Sequence, residues 1–263
     1  VKHIVAVASG KGGVGKSTVS VNLAVALAAS GKRVGLLDAD IYGPSQGALL
    51  GISEGTRPDV NNELLQPLMA HGVECMSMGF VTSERTPAIW RGPMASGALQ
   101  QLLTQTKWGE LDFLIVDMPP GTGDIQLTLA QKVPLAGAVI VTTPQDIALL
   151  DARKGIEMFR KVAVPVIGIV ENMSMHVCSN CGHEEAIFGQ GGGKAVAGDY
   201  ETELLGQIPL TLKLREQSDA GAPIVISDPN AVTSVTIREV AGKVQTFVEK
   251  NVSKAPVINI FND

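Results

Sequence analysis

The chain has 263 residues, of which 45% are hydrophobic and 18% charged, and a formal net charge of −5. A chain of this length buries a large core without disulfides or a structural metal. The acidic balance argues against nucleic-acid and anionic-membrane binding, and no apolar run approaches the ~18 residues of a membrane span. Three cysteines, an odd number, and the lack of a signal peptide predict a cytoplasmic protein, although without an initiator Met the native chain is free to begin further upstream.

Predicted strands and helices alternate along the chain. Continuous apolar runs indicate buried strands at 3–9, 33–40, 73–78, 137–144, 164–172 and 204–210, and a further strand within 111–124. Helical patterns cover 17–30, 94–106, 146–160 and 231–250. This alternation predicts an α/β fold, a three-layer sandwich whose mostly parallel sheet carries helices on both faces. We expect one domain over residues 1–250, with a surface excursion at 43–70, and a C-terminal tail over 251–263.

A glycine-rich segment, SGKGGVGKST at 9–18, lies between the first predicted strand and the first predicted helix. It satisfies the pattern G-x-x-x-x-G-K-[ST], in which backbone N–H groups and the positive end of a helix bind phosphate. We expect Lys16 to reach the β- and γ-phosphates, Ser17 to ligate Mg²⁺ and Thr18 to contact the α-phosphate. The predicted nucleotide-binding segment consists of Gly10, Lys11, Gly12, Gly13, Val14, Gly15, Lys16, Ser17 and Thr18. The alternative is a strand–helix turn that binds no ligand.

Carboxylates follow two other predicted strands. Asp117 ends FLIVD and is a Walker-B-type candidate for holding Mg²⁺ through a water. In the loop that follows, Gly121 is suited to give a backbone N–H to the γ-phosphate, which would make 118–124 a nucleotide-sensitive switch. Asp38 and Asp40 end LLDAD, where residues two apart share a strand face. We expect Asp40 to orient the attacking water and Asp38 to support it near the metal. The alternatives are that Asp117 caps the next turn and that Asp38 and Asp40 lie in a solvated turn.

The three cysteines divide into a pair and a single residue. Cys178 and Cys181 form a C-x-x-C in HVCSNCGHEEAIFG, whereas Cys75 lies in an apolar strand pattern and is expected in the core. The pair supplies half of a four-thiolate site, and the chain has no second C-x-x-C. His176 and His183 offer one completion, as zinc ligands, although His183 follows Cys181 too closely for a zinc ribbon. The other completion is a two-fold symmetric dimer, in which four thiolates suit a [4Fe–4S] cluster or zinc.

The phosphate loop carries a second lysine. KGGVGKST, with a lysine at its start, resembles the deviant Walker A motif of the MinD/ParA/nitrogenase-iron-protein class of dimeric ATPases. The resemblance implies that Lys11 crosses the dimer interface to the partner's phosphates. It also implies that Asn172 reads the adenine edge, which an amide is able to pair through its donor and its acceptor. A loop over 209–219, starting at Pro209, is implied to close over the base.

Further motifs narrow this resemblance. LDADIYGPS, WRGPM, DMPPGTGD, ENMS and CSNCG…IFGQGGG occur together and in this order, and resemble the Mrp/ApbC branch of the class, the iron–sulfur cluster carrier ATPases, over roughly residues 2–250. The resemblance implies a cytosolic homodimer that bridges a [4Fe–4S] cluster at the cysteine pair. Its implied partners are apo iron–sulfur proteins and cluster scaffold proteins. Many members carry a small additional N-terminal domain; it is absent from residues 1–263, with removal and original absence as the two alternatives. For Trp90 and Arg91, packing at the dimer interface is the expectation.

These residues together predict an ATP-hydrolysing iron–sulfur cluster carrier whose ligands are ATP, Mg²⁺ and a [4Fe–4S] cluster. Lys11, Lys16 and Asp40 are the expected catalytic residues of a slow reaction that works by positioning and charge stabilisation. Six residues lead from Asn172 to Cys178, at most ~20 Å of extended chain, so a nucleotide switch is expected to move the cysteine loops. The alternatives are a positioning ATPase of the MinD/ParA type and a P-loop ATPase with a structural zinc site.

Overall fold

The computed structural model describes residues 1–81, 92–178 and 180–251. Trp90, Arg91 and the tail from 252 to 263 lie outside the described residues. Among the described residues, none of the helices combines the length and the hydrophobicity that a membrane span requires.

The strands of the described residues agree with the predicted apolar runs in all the main elements. They are β1 His3–Ala8, β2 Val34–Asp38, β3 Val60–Asn61, β4 Leu64–Leu65, β5 Leu68–Ala70, β6 Val73–Ser77, β7 Phe113–Asp117, β8 Gly137–Thr142, β9 Val166–Val177, β10 Glu184–Glu185 and β11 Glu203–Leu210.

Among the described residues, the helices include the four predicted long ones and six shorter ones. They are α1 Lys16–Ala29, α2 Gln46–Leu49, α3 Met78–Val81, α4 Gly92–Gln105, α5 Asp124–Lys132, α6 Asp146–Lys161, α7 Gly192–Asp199, α8 Leu212–Asp219, α9 Ile224–Ser227 and α10 Val232–Lys250.

One sheet organises the chain. Its strands follow the order β10-β9-β8-β1-β7-β2-β6-β5, with β11 paired to β9, while β3 and β4 form a separate hairpin. The pairs are parallel except β5 with β6 and β10 with β9 at the two edges. The central strands β1, β2, β7 and β8 are buried along nearly their whole length, which explains their continuous apolar sequences.

The helices form two groups of mutual contacts. In one group α1, α9 and α10 contact one another, and in the other α4 contacts α5, α5 contacts α6, and α6 contacts α7. Helix α1 also packs on β1, β2 and β7, whereas α6 packs on β8 and β9. Because parallel strands need crossover helices that cover both sheet faces, this is the predicted three-layer α/β architecture.

The strand register brings the predicted site together. Val7 of β1 pairs with Asp117 of β7, and Asp117 pairs with Asp38 of β2. The three strands therefore end side by side at one edge of the sheet, where β1 continues into the glycine-rich loop. In an open α/β sheet this edge, outside the carboxyl ends of the strands, is where ligands bind.

Two predicted segments differ from the structure. The excursion at 43–70 contains α2 and the short strands β3, β4 and β5. The segment 209–219, predicted as a loop, is the end of β11 followed by α8. Helix α8 has no buried residue, so its sequence lacks the apolar period that reveals a helix. The loop prediction for 209–219 is therefore wrong.

Candidate functional site

The loop between β1 and α1 has the backbone that a phosphate cradle requires. Gly13 and Gly15 adopt positive φ angles of 81° and 80°, which glycine takes up without strain. Gly10 lies against α6, where a Cβ atom would sit 2.0 Å from the carbonyl oxygen of Asp151. The middle of the loop is exposed, whereas Val14 is buried. The loop is therefore anchored at Val14 and open at its glycines.

Helix α1 offers backbone donors next to this loop. The N–H groups in the first turn of a helix lack intrahelical partners, and the N-cap residue of α1, Gly15, has no side chain to cap them. Lys16, Ser17 and Thr18 form this turn. Uncapped N–H groups at the positive end of a helix fit the phosphates of a nucleotide. The Ser17 hydroxyl and the Asp117 carboxylate supply oxygen ligands of the kind that Mg²⁺ prefers, so the residues present fit both groups.

Lys16 and Asp117 form a buried ion pair beside the loop. The Lys16 ammonium lies 2.6 Å from Asp117 Oδ1, and the two side chains are 6% and 0% exposed. Lys16 Nζ also lies 3.2 Å from Ser17 Oγ. Ser20 Oγ donates to the same Asp117 oxygen at 2.8 Å. Ser20 was not predicted, although it follows Lys16 by one helical turn, and this spacing is the signal that points to it.

Asp38 is buried beneath the segment that carries Asp40. Its Oδ2 accepts hydrogen bonds from the backbone N–H groups of Ser45 at 2.9 Å and Gln46 at 3.0 Å, and from Ser77 Oγ at 3.2 Å. Its Oδ1 accepts from the backbone N–H of Asp40 at 3.1 Å. Asp38 therefore supports Asp40, as predicted, but it does so by holding the backbone of the 40–46 segment.

Asp40 follows the end of β2 and is half-buried. The prediction that Asp38 and Asp40 share one strand face is therefore wrong, because the strand ends at Asp38. Burial raises the pKa of Asp40, against the opposing charge of Lys16. Burial, followed by the nearby charge of Asp117, raises the pKa of Asp38 to about 7. A raised pKa makes the Asp40 carboxylate a better proton acceptor, which suits its predicted role beside an attacking water.

A buried glutamine that was not predicted connects these residues. Gln46, the first residue of α2, is 0% exposed. Its Nε2 donates to Asp117 Oδ2 at 2.8 Å and to the carbonyl oxygen of Ser17 at 3.1 Å. Its Oε1 has no hydrogen-bond partner among the described residues. Gln46 lies within the segment predicted as a surface excursion, where no motif or period pointed to it.

The loop after β7 is fixed by two sets of contacts. Gly121, at a φ of 97°, donates its backbone N–H to the carbonyl oxygen of Ser9 at 3.0 Å. The side-chain amide of Gln126, on α5, donates to the carbonyl oxygens of Pro119 and Pro120. The Gly121 N–H has to leave Ser9 before it is able to meet a γ-phosphate. The predicted switch therefore requires a local change of backbone partners.

Asn172 packs against the end of the phosphate loop. Its Nδ2 donates to the carbonyl oxygen of Val14 at 2.9 Å, and a Cβ atom on Gly15 would sit 2.2 Å from this nitrogen. The Oδ1 atom is buried and has no partner in the described part of the chain. The amino group of adenine is a donor of the kind that this oxygen lacks. Pro209, predicted to start a loop that closes over the base, is instead a buried residue of β11.

Lys11 differs from Lys16 in forming no ion pair with the described residues of its own chain. Its side chain is half-buried, and it takes part in none of the ion pairs formed by residues 1–81, 92–178 and 180–251. Its carbonyl oxygen accepts a hydrogen bond from Ser9 Oγ at 2.8 Å, which fixes the backbone. The Lys11 ammonium is therefore unpaired within the described part of its own chain.

The cysteine pair lies at the tip of a hairpin. Strands β9 and β10 pair in antiparallel fashion, and Cys178 follows the last residue of β9. Both Cys178 and Cys181 are free thiols, the first half-buried and the second exposed. The backbone N–H groups of Cys181 and Asn180 lower the pKa of the Cys178 thiol. A lowered pKa favours the thiolate, which is the form that binds metal.

The described residues contain no group of three or more His, Cys, Asp and Glu side chains able to hold a metal ion. His176 Nδ1 lies 3.4 Å from the carbonyl oxygen of Leu210, and His183 is exposed. The alternative in which both histidines complete a zinc site within one chain is therefore not formed. Cys75 is fully buried in β6, as expected of a core residue.

Comparison with known families decides the class. The family model described as the NUBPL iron-transfer P-loop NTPase, of ParA type, matches residues 1–245. The chain belongs to this family. An iron-sulfur cluster carrier protein of Pseudomonas fragi is 64% identical over 92% of this chain and 84% of its own length. The Mus musculus iron-sulfur cluster transfer protein NUBPL is 52% identical over 93% of this chain and 77% of its own length. An Escherichia coli iron-sulfur cluster carrier protein is 58% identical, and this chain spans 66% of it.

Solved structures agree with this family assignment. A nucleotide-binding protein of Archaeoglobus fulgidus, solved in complex with ADP, is 40% identical with a TM-score of 0.77, over 87% of this chain and 90% of its own. The cell division ATPase MinD of Pyrococcus furiosus is 22% identical with a TM-score of 0.70, over 94% of this chain and 99% of its own, which shows a shared fold. The predicted family and the predicted α/β P-loop fold are confirmed.

Proposed function

We propose that this chain is an ATP-hydrolysing carrier that holds one [4Fe–4S] cluster between two copies of itself and passes it to apo iron–sulfur proteins. Membership of the NUBPL family makes it an iron–sulfur cluster carrier on a P-loop NTPase fold. The position of Cys178 and Cys181 carries the finer proposal, because these free thiols lie at the tip of a hairpin whose first strand also contains Asn172. We place the carrier in the cytoplasm, where cluster scaffold proteins load it.

The phosphate loop is the proposed ATP site, within a single domain over residues 1–250. The uncapped first turn of α1 and Lys16 bind the phosphates, Ser17 holds Mg²⁺ directly, and Asp117 holds it through a water. Bound Mg²⁺ neutralises charge on the phosphates. Asp40 orients the attacking water, a role supported by its position after β2 and its raised pKa. Asn172 selects adenine through its unpaired Oδ1.

Two features support a dimer, because each is half of a complete site. One chain offers two free thiols at the hairpin tip, whereas a [4Fe–4S] cluster takes four ligands. Lys11 has no electrostatic partner among the described residues of its own chain. A two-fold symmetric pair doubles both features at one interface. In this arrangement Lys11 reaches the phosphates bound by the partner subunit and stabilises the charge that develops during hydrolysis.

Strand β9 is the proposed link between nucleotide and cluster. It continues past Asn172 to Val177, so ~20 Å of strand connects the adenine contact to Cys178. Met173, next to Asn172, has a φ of 54°, a left-handed conformation that is strained for a non-glycine residue. The pairing of β9 with β11 also shifts its register near this point. A strained residue at the adenine contact gives nucleotide binding a means of moving the hairpin tip.

Anaerobic reconstitution with iron and sulfide tests this function. We expect the wild-type chain to take up four iron and four sulfide ions per two chains and to gain visible absorbance. Cys178→Ala and Cys181→Ala are expected to abolish both changes. Cys75→Ala is the matched control, because it deletes a thiol that is buried in β6, and it should retain the cluster. Cluster uptake that survives Cys178→Ala would contradict the proposal.

The alternative of a positioning ATPase has less support. Such a protein would need a helix with a free apolar face or a basic surface to reach a membrane or DNA. The last described helix, α10, buries the apolar side chains of Ile237, Val240, Val244 and Val248 and contacts α1 and β11, although Val232 and Val235 near its start are exposed. Co-sedimentation with liposomes or DNA in the presence of ATP would be the result that revives this alternative.

A further inference from the structure

Gln46 is fixed in one orientation by its neighbours. Both groups that face its Nε2 are acceptors, the Asp117 carboxylate at 2.8 Å and the Ser17 carbonyl oxygen at 3.1 Å. A flipped amide would bring its oxygen against both of them, so the hydrogen-bond network settles which atom is nitrogen. The backbone N–H of Gln46 donates to Asp38 Oδ2 at 3.0 Å. The residue is thus held from two sides.

The other end of the amide is buried and unsatisfied. Gln46 Oε1 accepts no hydrogen bond from residues 1–81, 92–178 and 180–251, which is uncommon for a buried polar atom that has no ligand to meet. The two polar atoms of an amide are ~2.2 Å apart, so Oε1 lies at most ~5 Å from Asp117 Oδ2. Its missing partner has to be a donor. Mg²⁺ in proteins usually keeps several waters, and such waters are donors.

We propose that Gln46 is a positioning residue of the Mg²⁺–ATP site. Its Nε2 holds the Asp117 carboxylate beside Ser17, and its Oε1 accepts a hydrogen bond from a water that Mg²⁺ carries. This inference rests on the proposed function, since it needs Ser17 and Asp117 to hold the metal. It adds a connection between the metal-binding part of the site and Asp40, because Gln46 contacts Asp117 and is also the last residue of the 40–46 segment.

This connection gives the metal an influence on Asp40. The 40–46 segment is bound to Asp38 at three backbone N–H groups, and to the phosphate loop and β7 through the Gln46 side chain. A metal-bound water that donates to Oε1 would stabilise this side-chain bridge. The segment that carries Asp40 is then held in one position relative to the phosphates.

Two substitutions separate the metal-dependent role from a structural one. Gln46→Leu removes the donor and the acceptor at similar volume, and Gln46→Glu keeps the shape but places a carboxylate beside Asp117. Calorimetry gives the affinity for a non-hydrolysable ATP analogue with Mg²⁺ and with EDTA. The ratio of these affinities is expected to fall about tenfold in Gln46→Leu, as for a lost hydrogen bond to a charged group. Gln46→Glu should lose more through like-charge repulsion.

The affinity in EDTA should stay within about twofold of wild type, because the phosphate contacts of the loop remain. Gln66→Leu is the matched control, since the Gln66 amide donates to the carbonyl oxygen of Leu64 at 3.4 Å rather than to Asp117 or Ser17; its ratio should not change. Thermal unfolding without nucleotide checks folding. If Gln46→Leu does not fold, Gln46→Met removes the same amide and carries the same prediction.

Equal losses with Mg²⁺ and with EDTA would overturn the inference, because Gln46 would then act on the fold of the loop alone. An unchanged ratio in both Gln46 variants would overturn it as well. A wild-type chain without ATP affinity in either condition would instead refute the proposed function, and the inference with it. The failures of the two proposals are therefore distinguishable.

Discussion

Mixing two inactive variants tests whether Lys11 acts in the site of the partner subunit. Lys11→Ala removes an ammonium that forms no ion pair among the described residues, so we expect a stability change of less than about 0.5 kcal/mol together with a loss of ATP hydrolysis. Asp40→Asn removes the proposed water-orienting carboxylate and is also expected to be inactive. Each variant alone lacks one part of every site.

The mixture should recover a defined fraction of activity. In a mixed dimer, one site combines Asp40 of the Lys11→Ala chain with Lys11 of the Asp40→Asn chain. Random pairing of equal amounts makes about half of the dimers mixed, each with one complete site of two, so about one quarter of wild-type phosphate release returns. If Lys11 acts in its own chain, no dimer contains a complete site. A mixture that stays inactive, although the chains are shown to exchange, would refute the reasoning.

Lys16→Met provides the control for this experiment. Lys16 and Asp40 belong to the same chain's site, so mixing Lys16→Met with Asp40→Asn completes no site and should recover no activity. The two lysine substitutions are also expected to differ in their effect on the stability of the protein. Lys16→Met leaves the fully buried Asp117 carboxylate without its counter-charge, which costs about 3–5 kcal/mol for a pair of this kind. Urea denaturation without nucleotide measures this difference from Lys11→Ala.

Asn172→Ala is expected to lower ATP affinity about tenfold and GTP affinity by less, because it removes the adenine contact; equal losses in a competition assay would count against that role. In metal-free protein, the pKa of Asp38 is raised from its ordinary value of 3.8 to about 7 in the folded state. Between these two pH values the native state therefore binds more protons than the unfolded state. The free energy of unfolding therefore falls as the pH rises from about 4 to about 7, and Asp38→Asn should flatten this slope in urea titrations. The N–H groups of Cys181 and Asn180 lower the pKa of the Cys178 thiol, and burial raises that of Cys75, so iodoacetamide should modify Cys178 at a pH at which Cys75 stays unmodified; peptide mapping that finds Cys75 modified first would contradict this.

The sequence was sufficient for features that depend on short-range spacing. The glycine and lysine positions at 10–17 lie between β1 and α1 as the phosphate-loop pattern requires. The carboxylate of Asp117 could be placed near the loop because parallel strands bring their carboxyl ends to one edge of the sheet. The apolar runs of β1, β7 and β8 likewise identified central strands, because a strand that is buried on both faces has a continuous apolar sequence.

Features that depend on tertiary contacts could not be predicted in this way. Gln46 reaches Asp117 across 71 positions of sequence, and its own neighbourhood resembles a polar surface segment. The Asp38 carboxylate is turned under the 40–46 segment by backbone donors that no side-chain pattern reveals. Helix α8 lies on the surface without a buried face, so its sequence resembles that of a loop.

Native mass spectrometry of the anaerobically reconstituted chain tests the central claim most directly. The claim is that the cysteine pair and Lys11 are each completed by a second copy. The account predicts a species of two chains that holds one cluster of four iron and four sulfide ions, and its loss in Cys178→Ser. A cluster or a zinc ion held by a single chain would contradict the account.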